Sequence, residues 1–99
     1  MDIREDLARC IGFEWDEGNA DKNLEKHGVS DTECEQAFFN DPLAVGDDVE
    51  HSRDEPRGFV LGRTDDGRHL FIVFTVRRTL IRVISARDMT RNERRRYES

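Results

Sequence analysis

The chain has 99 residues, of which 35% are hydrophobic and 38% are charged, and its formal net charge is −6. This length suffices for one modest core, so we expect residues 1–99 to form a single domain. No apolar run reaches the roughly 20 residues of a membrane span, and the acidic, mixed N-terminus does not resemble a secretory signal. We therefore expect a cytoplasmic protein that does not contact membranes.

The charge is unevenly distributed along the chain. Residues 1–54 contain 16 acids and five bases, giving −11, whereas residues 55–99 contain 11 bases and six acids, giving +5. Every base in the second part is arginine, whose planar guanidinium can bind a phosphate or a carboxylate through two hydrogen bonds. Two interpretations stay open: the arginines pair with the acidic half of the same molecule, or they form a surface for nucleic acid or an acidic partner.

The N-terminal segment predicts a helix followed by a short strand. Ile3, Leu7 and Ile11 recur at helical spacing, which predicts an additional helix within residues 1–12. The next segment, FEWD at residues 13–16, alternates aromatic and acidic side chains, which is typical of a short strand.

Two further helices are delimited by capping residues. Asp21 is a candidate N-cap for a short helix, and Gly28 supplies the left-handed residue that ends it. Ser30 and Glu33 then form the S-x-x-E capping box of a second helix, which we expect to end near Asn40.

The region after Gly58 predicts three consecutive strands joined by tight turns, at residues 58–64, 69–76 and 80–86. The middle strand is apolar on both faces, so we expect it at the centre of the sheet, with helices covering one side. A further short strand is possible at Leu43–Val45.

The C-terminal segment predicts a helix opened by the capping box of Thr90 and Glu93. This helix has almost no apolar stripe, so it is either a solvated face or a contact surface for a partner or RNA. The arginines that we assign to such a partner contact are Arg91, Arg94 and Arg95. Helices first, then an antiparallel sheet, then a helix indicate the α+β class.

The sequence gives little support for metal or nucleotide chemistry. Its histidines are far apart, its two cysteines are isolated, and the acids near residue 48 do not follow the EF-hand pattern. Glycine-rich phosphate loops and serine-hydrolase motifs are also missing. We therefore expect no metal and no cofactor.

The arginines on and beside the predicted strands are typical of a metal-independent ribonuclease. RNA carries its own nucleophile, the 2′-hydroxyl, so the enzyme must remove that proton, protonate the leaving oxygen and stabilise charge on the phosphorane. Glu or His can transfer the protons, and arginines at strand ends can stabilise the charge. The candidate residues are Arg57, Arg63, Arg77, Arg82 and Arg87, together with His51, Glu55 and His69.

Strand geometry limits how many of these arginines share one cleft. On an ideal strand, Arg82 and Arg87 lie on opposite faces. They can point into one cleft only if a bulge intervenes or if the strand ends by Ser85. One of these arginines is therefore a candidate for a purely structural role.

From Phe13 to Tyr97 the sequence resembles the BrnT family, the ribonuclease toxins of BrnT/BrnA type II toxin–antitoxin systems. The resemblance rests on FEWD (13–16), N-x-x-KHGVS (23–30), A-x-x-x-x-DP (37–42), E-x-R (55–57), IRVISAR (81–87) and E-R-R-R-Y (93–97). It implies a RelE-like α+β fold, in which a small twisted antiparallel sheet carries the N-terminal helices on one face and is followed by a C-terminal helix.

The resemblance also implies site residues. By position, the catalytic set is Glu55, Arg57, Arg77 and Arg82. The RNA-binding set implied by the resemblance is Ser85 and Arg87, with His51 as a weaker candidate, and the arginine pattern adds Arg63 to it.

Finally, the resemblance implies RNA cleavage, translation arrest and a complex with a BrnA-like ribbon-helix-helix antitoxin, through which alone the protein meets operator DNA. The alternative hypothesis is a catalytically inactive module that binds the antitoxin and acts in operator repression.

Overall fold

The computed structural model describes residues 2–48 and 55–99. Its elements in chain order are α1 (Ile3–Ala8), β1 (Gly12–Phe13), α2 (Lys22–His27), α3 (Asp31–Phe39), β2 (Ala44–Asp47), β3 (Arg57–Arg63), β4 (His69–Arg77), β5 (Leu80–Asp88) and α4 (Arg91–Glu98). This confirms the α+β class. Among the described residues, every helix is too short or too polar to cross a membrane.

The five strands form one mixed sheet in the order β1-β5-β4-β3-β2. As predicted, β4 lies at the centre, and β2 to β5 pair antiparallel. The expectation of a wholly antiparallel sheet is wrong for β1, which pairs parallel with β5 through Gly12↔Leu80 and Phe13↔Ile81. Because most of the chain separates β1 from β5, no tight hairpin constrains their relative direction.

One face of the sheet forms the core, and we call it the buried face. Helices α1 and α3 pack against it, since their side chains belong to the same buried cluster as alternate strand residues. The cluster joins Ile3, Val29, Cys34 and Ala37 to strand residues that include Val60, Leu70, Ile72, Phe74, Val83 and Ala86. The period-two alternation of the three long strands therefore directs one set of side chains inward.

The predicted capping residues are largely confirmed. Ser30 and Glu33 form the reciprocal capping box that opens α3, and Gly28 has a left-handed φ of 67° at the end of α2. Asp21 precedes α2 but its side chain makes no capping hydrogen bond, and its own φ of 58° is left-handed.

The N-terminal helix is shorter than its apolar spacing predicted. It ends at Ala8, and Ile11 lies beyond it with 84% of its surface exposed. The Ile11 backbone N–H donates instead to the Thr79 carbonyl at 2.8 Å. Pairing of the β1 segment with β5 therefore takes Ile11 out of the helix.

Strand β5 contains a β-bulge. Phe74 pairs with Val83 and Val73 pairs with Ser85, so Ile84 is an extra residue without a counterpart on β4. A bulge of this kind reverses the face on which every later residue of the strand lies.

Two buried asparagines close the outer edge of β5 around this bulge. The Nδ2 of Asn19 donates to the Val83 carbonyl at 3.1 Å, and the Oδ1 of Asn23 accepts from the Ala86 N–H at 3.0 Å. Buried backbone groups need such partners, and β1 is too short to supply them. These side chains therefore replace the missing strand neighbour.

The opposite face is partly covered at one end by α4, and we call it the open face. The capping box of Thr90 and Glu93 is present as predicted. The buried Tyr97 donates its hydroxyl hydrogen to the Pro42 carbonyl at 2.6 Å, and its ring meets His69 edge-on at 5.6 Å. This single aromatic side chain anchors an otherwise polar helix.

We predict that Gly62→Ala destabilises the fold by about 1–3 kcal/mol, because overpacking a core contact has that cost. A Cβ atom at Gly62 would lie 2.6 Å from the Ala37 carbonyl oxygen of α3. Gly12→Ala is the matched control, since its Cβ would meet only the Leu80 side chain at 3.5 Å. Urea denaturation of both variants measures the difference, and equal free energies of unfolding would contradict the packing of α3 on β3.

Candidate active site on the open face of the sheet

The bulge brings the predicted arginines of β5 to one face. Arg82 pairs with Thr75 before Ile84, and Arg87 pairs with Phe71 after it. Both therefore lie on the open face, together with Ser85, which pairs with Val73. The bulge therefore meets the requirement under which Arg82 and Arg87 can point into one cleft.

Arg82 is held by two carboxylates from the segment after β1. Its Nη1 and Nη2 each lie 2.9 Å from an oxygen of Asp16, and Nη1 is also 3.1 Å from Glu14 Oε1. This bidentate hydrogen bonding is the main reason why the pKa of the Asp16 carboxyl is lowered. The Gly18 N–H donates to the same carboxylate at 2.8 Å. Arg82 is thus largely enclosed, with only 13% of its side chain exposed.

Arg77 is paired with Glu55. Its Nε and Nη2 lie 3.0–3.2 Å from the Glu55 carboxylate, whose Oε2 also accepts from the Thr75 hydroxyl at 3.2 Å. Hydrogen bonding from Arg77 is the largest cause that lowers the pKa of Glu55. Glu55 is therefore ionised at neutral pH, so its carboxylate can accept a proton but has none to donate.

Glu14 links the two pairs, because its Oε1 lies 3.1 Å from Arg82 Nη1 and 3.5 Å from Arg77 Nη1. We call the linked set the carboxylate–guanidinium cluster. It consists of Glu14, Asp16, Glu55, Arg77 and Arg82. Two predicted catalytic arginines and the predicted catalytic glutamate are therefore brought together in one place.

Arg57 and Arg63 lie at opposite ends of β3. Arg57 pairs with Thr75, at the same level of the open face as the cluster. Arg63 pairs with His69, six residues further along, which is about 20 Å away on an extended strand. The structure thus places Arg57 beside the cluster and Arg63 apart from it.

Arg87 lies on the open face but away from the cluster. Its guanidinium stacks on the Phe71 ring at 4.2 Å and makes two hydrogen bonds, of 2.7 and 3.0 Å, to Glu93 of α4. Phe71 in turn stacks on Phe59, with ring centroids 5.5 Å apart. The partners of Arg82 and Arg87 are four positions apart on β4, which corresponds to about 14 Å. Arg87 therefore joins α4 to an aromatic surface.

The remaining predicted residues lie elsewhere. Arg91, Arg94 and Arg95 are exposed on α4, where Arg94 pairs with Glu98 at 2.8 Å. His51 lies outside the described residues. Among the residues that are described, no group of three or more His, Cys, Asp and Glu side chains could hold a metal ion.

Sequence reasoning did not identify Glu14 and Asp16 as site residues. It predicted a strand over FEWD, but β1 spans Gly12–Phe13, so only Phe13 of this motif lies in the strand. Alternation along FEWD places both acids on one side and Phe13 and Trp15 on the other. Trp15 donates its Nε1 hydrogen to Glu35 at 2.7 Å, and Phe13 packs against the core. The alternation of aromatic and acidic residues in FEWD was therefore the sequence signal that could have identified Glu14 and Asp16.

One family model matches the chain. It is described as the ribonuclease toxin BrnT of a type II toxin–antitoxin system, and it covers residues 15–93. This range contains all of the carboxylate–guanidinium cluster except Glu14. No curated protein matches the chain significantly.

The pair of Arg87 and Glu93 generates a pH prediction. Hydrogen bonding from Arg87 is the main cause that lowers the pKa of Glu93 in the folded protein, below its unfolded value of about 4.3. The stabilisation from this pair is therefore fully present above about pH 4.3 and is lost as the pH falls through the folded pKa. Glu93→Gln, which keeps a capping side chain, should cost up to about 1 kcal/mol at pH 7 and much less at pH 3.

Urea denaturation across this pH range measures the gap between the wild type and Glu93→Gln. Arg87→Gln removes the partner of Glu93. When Glu93→Gln is introduced into the Arg87→Gln variant, it should therefore cause no pH-dependent change in the free energy of unfolding. A gap that stays constant between pH 7 and pH 3 would contradict the assignment.

Proposed function

The chain belongs to the BrnT family of ribonuclease toxins of type II toxin–antitoxin systems, and on this premise we propose that it cleaves RNA without a metal at the carboxylate–guanidinium cluster. The observation that carries the proposal is the convergence of Arg77 and Arg82 with an ionised Glu55 on the open face. A carboxylate can accept the proton of the 2′-hydroxyl, and two guanidinium groups can stabilise the charge on the phosphorane, which are two of the three tasks of metal-independent cleavage.

In the proposed reaction, Glu55 accepts the proton of the attacking 2′-hydroxyl. The 2′-oxygen then bonds to phosphorus while the bond from phosphorus to the 5′-oxygen breaks. The leaving oxygen takes a proton from solvent water, and Glu55 returns the proton that it accepted to the solvent. Arg77 and Arg82 stabilise the additional negative charge on the phosphorane. For this to happen, the scissile phosphate replaces the carboxylates of Glu14 and Asp16 as the acceptor for Arg82.

The surrounding residues of the open face are proposed to bind the rest of the strand. Arg57 is level with the cluster, and Ser85 lies two pairs beyond Arg82 along β5. The stacked rings of Phe59 and Phe71 offer an apolar surface for a base, since bases commonly stack on aromatic side chains in single-strand recognition. Arg63, Arg87 and His51 remain RNA-binding candidates outside the reacting centre.

The finer assignments follow from the family rather than from the geometry. We propose a RelE-like arrangement, translation arrest in the cytoplasm, and neutralisation by a BrnA-like ribbon-helix-helix antitoxin whose complex binds operator DNA. The single sheet with α1 and α3 on one face supports the RelE-like arrangement. The exposed Arg91, Arg94 and Arg95 of α4 are proposed to contact the antitoxin.

One observation favours a second candidate function, an inactive module that binds the antitoxin and acts in operator repression. Arg77, Arg82 and Arg87 already have carboxylate partners at 2.7–3.1 Å within the same chain. An acidic segment of an antitoxin can replace such partners as readily as a phosphate can. The two functions differ in whether bond cleavage follows binding.

We predict that the purified protein, free of antitoxin, cleaves total RNA in the presence of EDTA. Glu55→Gln should lower the cleavage rate by about 10²–10⁴-fold, the usual contribution of a general base. Arg82→Ala should be similarly impaired, because it removes a donor that stabilises the transition state. Gel analysis of the products against time measures each rate.

Arg95→Gln is the control, since it removes a positive charge from α4 without touching the cluster. Cleavage that strictly requires a divalent cation, or equal rates for the wild type and Glu55→Gln, would contradict the proposed mechanism.

Growth distinguishes the active toxin from the inactive module. Induced expression of the wild type should arrest growth, and Arg82→Ala should relieve the arrest while antitoxin binding persists. Culture density measures the arrest, and co-purification with the antitoxin measures binding. Normal growth with the wild type, at confirmed expression, would favour the inactive module.

A further inference from the structure

A polar groove lies beside the bulge of β5, away from the carboxylate–guanidinium cluster. Its volume is 490 Å³. Its walls come from α2 and from the bulge, and they include Lys22, Asn23, Lys26, His27, Ile84 and Ser85. Lys22 and Lys26 are the only lysines of the chain. Both lysines of the chain therefore line this one groove.

The buried Asn23 fixes α2 to β5 beside this groove. Its side chain is 3% exposed, and its Oδ1 accepts from the Ala86 N–H at 3.0 Å. Its Nδ2 is fully buried and has no hydrogen-bond partner among the described residues. Asn23 therefore positions the groove, and the exposed side chains of α2 are the groups that can reach a ligand.

The charge of the groove favours a negatively charged ligand. Within residues 2–48 and 55–99, no ion pair is formed by the side chains of Lys22 and Lys26, in contrast to the paired arginines Arg77 and Arg82. Glu25 is the one acidic side chain that lines the groove. The groove therefore carries two ammonium groups and a single carboxylate.

We propose that this groove binds a phosphate group of the RNA substrate, one that lies beyond the reacting phosphate along the strand. This inference rests on the proposed ribonuclease function. Ser85 connects the two sites, because it lines the groove and also lies on the open face. The partners of Arg82 and Ser85 are two residues apart on β4, which is about 7 Å. A single-stranded backbone can span this distance, so the strand passes from Arg82 over the bulge to α2.

The test uses single-stranded RNA whose 2′-hydroxyl groups are methylated, so that it binds without being cleaved. Its dissociation constant is measured at several salt concentrations for the wild type and for the double variant K22Q/K26Q. Each phosphate contact contributes a slope of about −0.7 to a plot of log affinity against log salt for a single strand. We expect the variant to bind more weakly and its slope to be shallower by about 0.7.

The matched control is R4Q/R9Q, which removes two positive charges at α1, a helix packed on the buried face, and should keep the slope of the wild type. Thermal unfolding of both variants establishes that the fold is retained, as expected for substitutions of exposed side chains.

The outcomes separate this inference from the proposed function. If the wild type cleaves RNA and K22Q/K26Q keeps its affinity and slope, the groove is not a phosphate site and the inference is overturned alone. If the variant loses RNA affinity but the wild type cleaves nothing, the ribonuclease function is overturned and the phosphate site stands. Loss of antitoxin binding instead of RNA binding would also overturn the inference.

Discussion

The bulge at Ile84 is the constraint on which the open face depends. Without this extra residue, Ser85 and Arg87 would lie on the buried face, and Ala86 would leave the core. The bulge needs partners for the backbone groups at the outer edge of β5, and the buried Asn19 and Asn23 supply them. The segment from β1 to α2 therefore does more than connect two elements. It fixes the geometry of the strand that carries the proposed site.

The same segment supplies the acids that balance the arginines. Glu14 and Asp16 hold Arg82, while Glu55 holds Arg77. Both interpretations of the uneven charge are thus compatible: the acidic half pairs with the arginines in the free protein, and the open face stays suited to a phosphate that replaces those carboxylates. The exposed pair of Arg77 and Glu55 contributes little to stability, so its exchange for a charged ligand has a small cost.

Much of the fold could be predicted from the sequence, because capping boxes and strand alternation are local signals. Ser30 with Glu33 and Thr90 with Glu93 gave the starts of α3 and α4, and the apolar β4 gave the centre of the sheet. The parallel pairing of β1 could not be predicted, since it joins residues far apart in sequence. The sequence indicated only that Arg82 and Arg87 could share one face if β5 contained a bulge. It did not locate the bulge, because Ile84 differs from its neighbours in tertiary hydrogen bonding and not in residue type. Glu14 and Asp16 were missed for the same reason.

The central claim is that Arg77, Arg82 and Ser85 act together on one bound strand. The most direct test is a nuclear magnetic resonance titration with uncleavable, 2′-methylated RNA, following the Nε–H signals of the arginines and the amide signal of Ser85. The account predicts that the signals of Arg77, Arg82 and Ser85 shift together with one dissociation constant. Shifts confined to the arginines of α4, with these three signals unchanged, would contradict it.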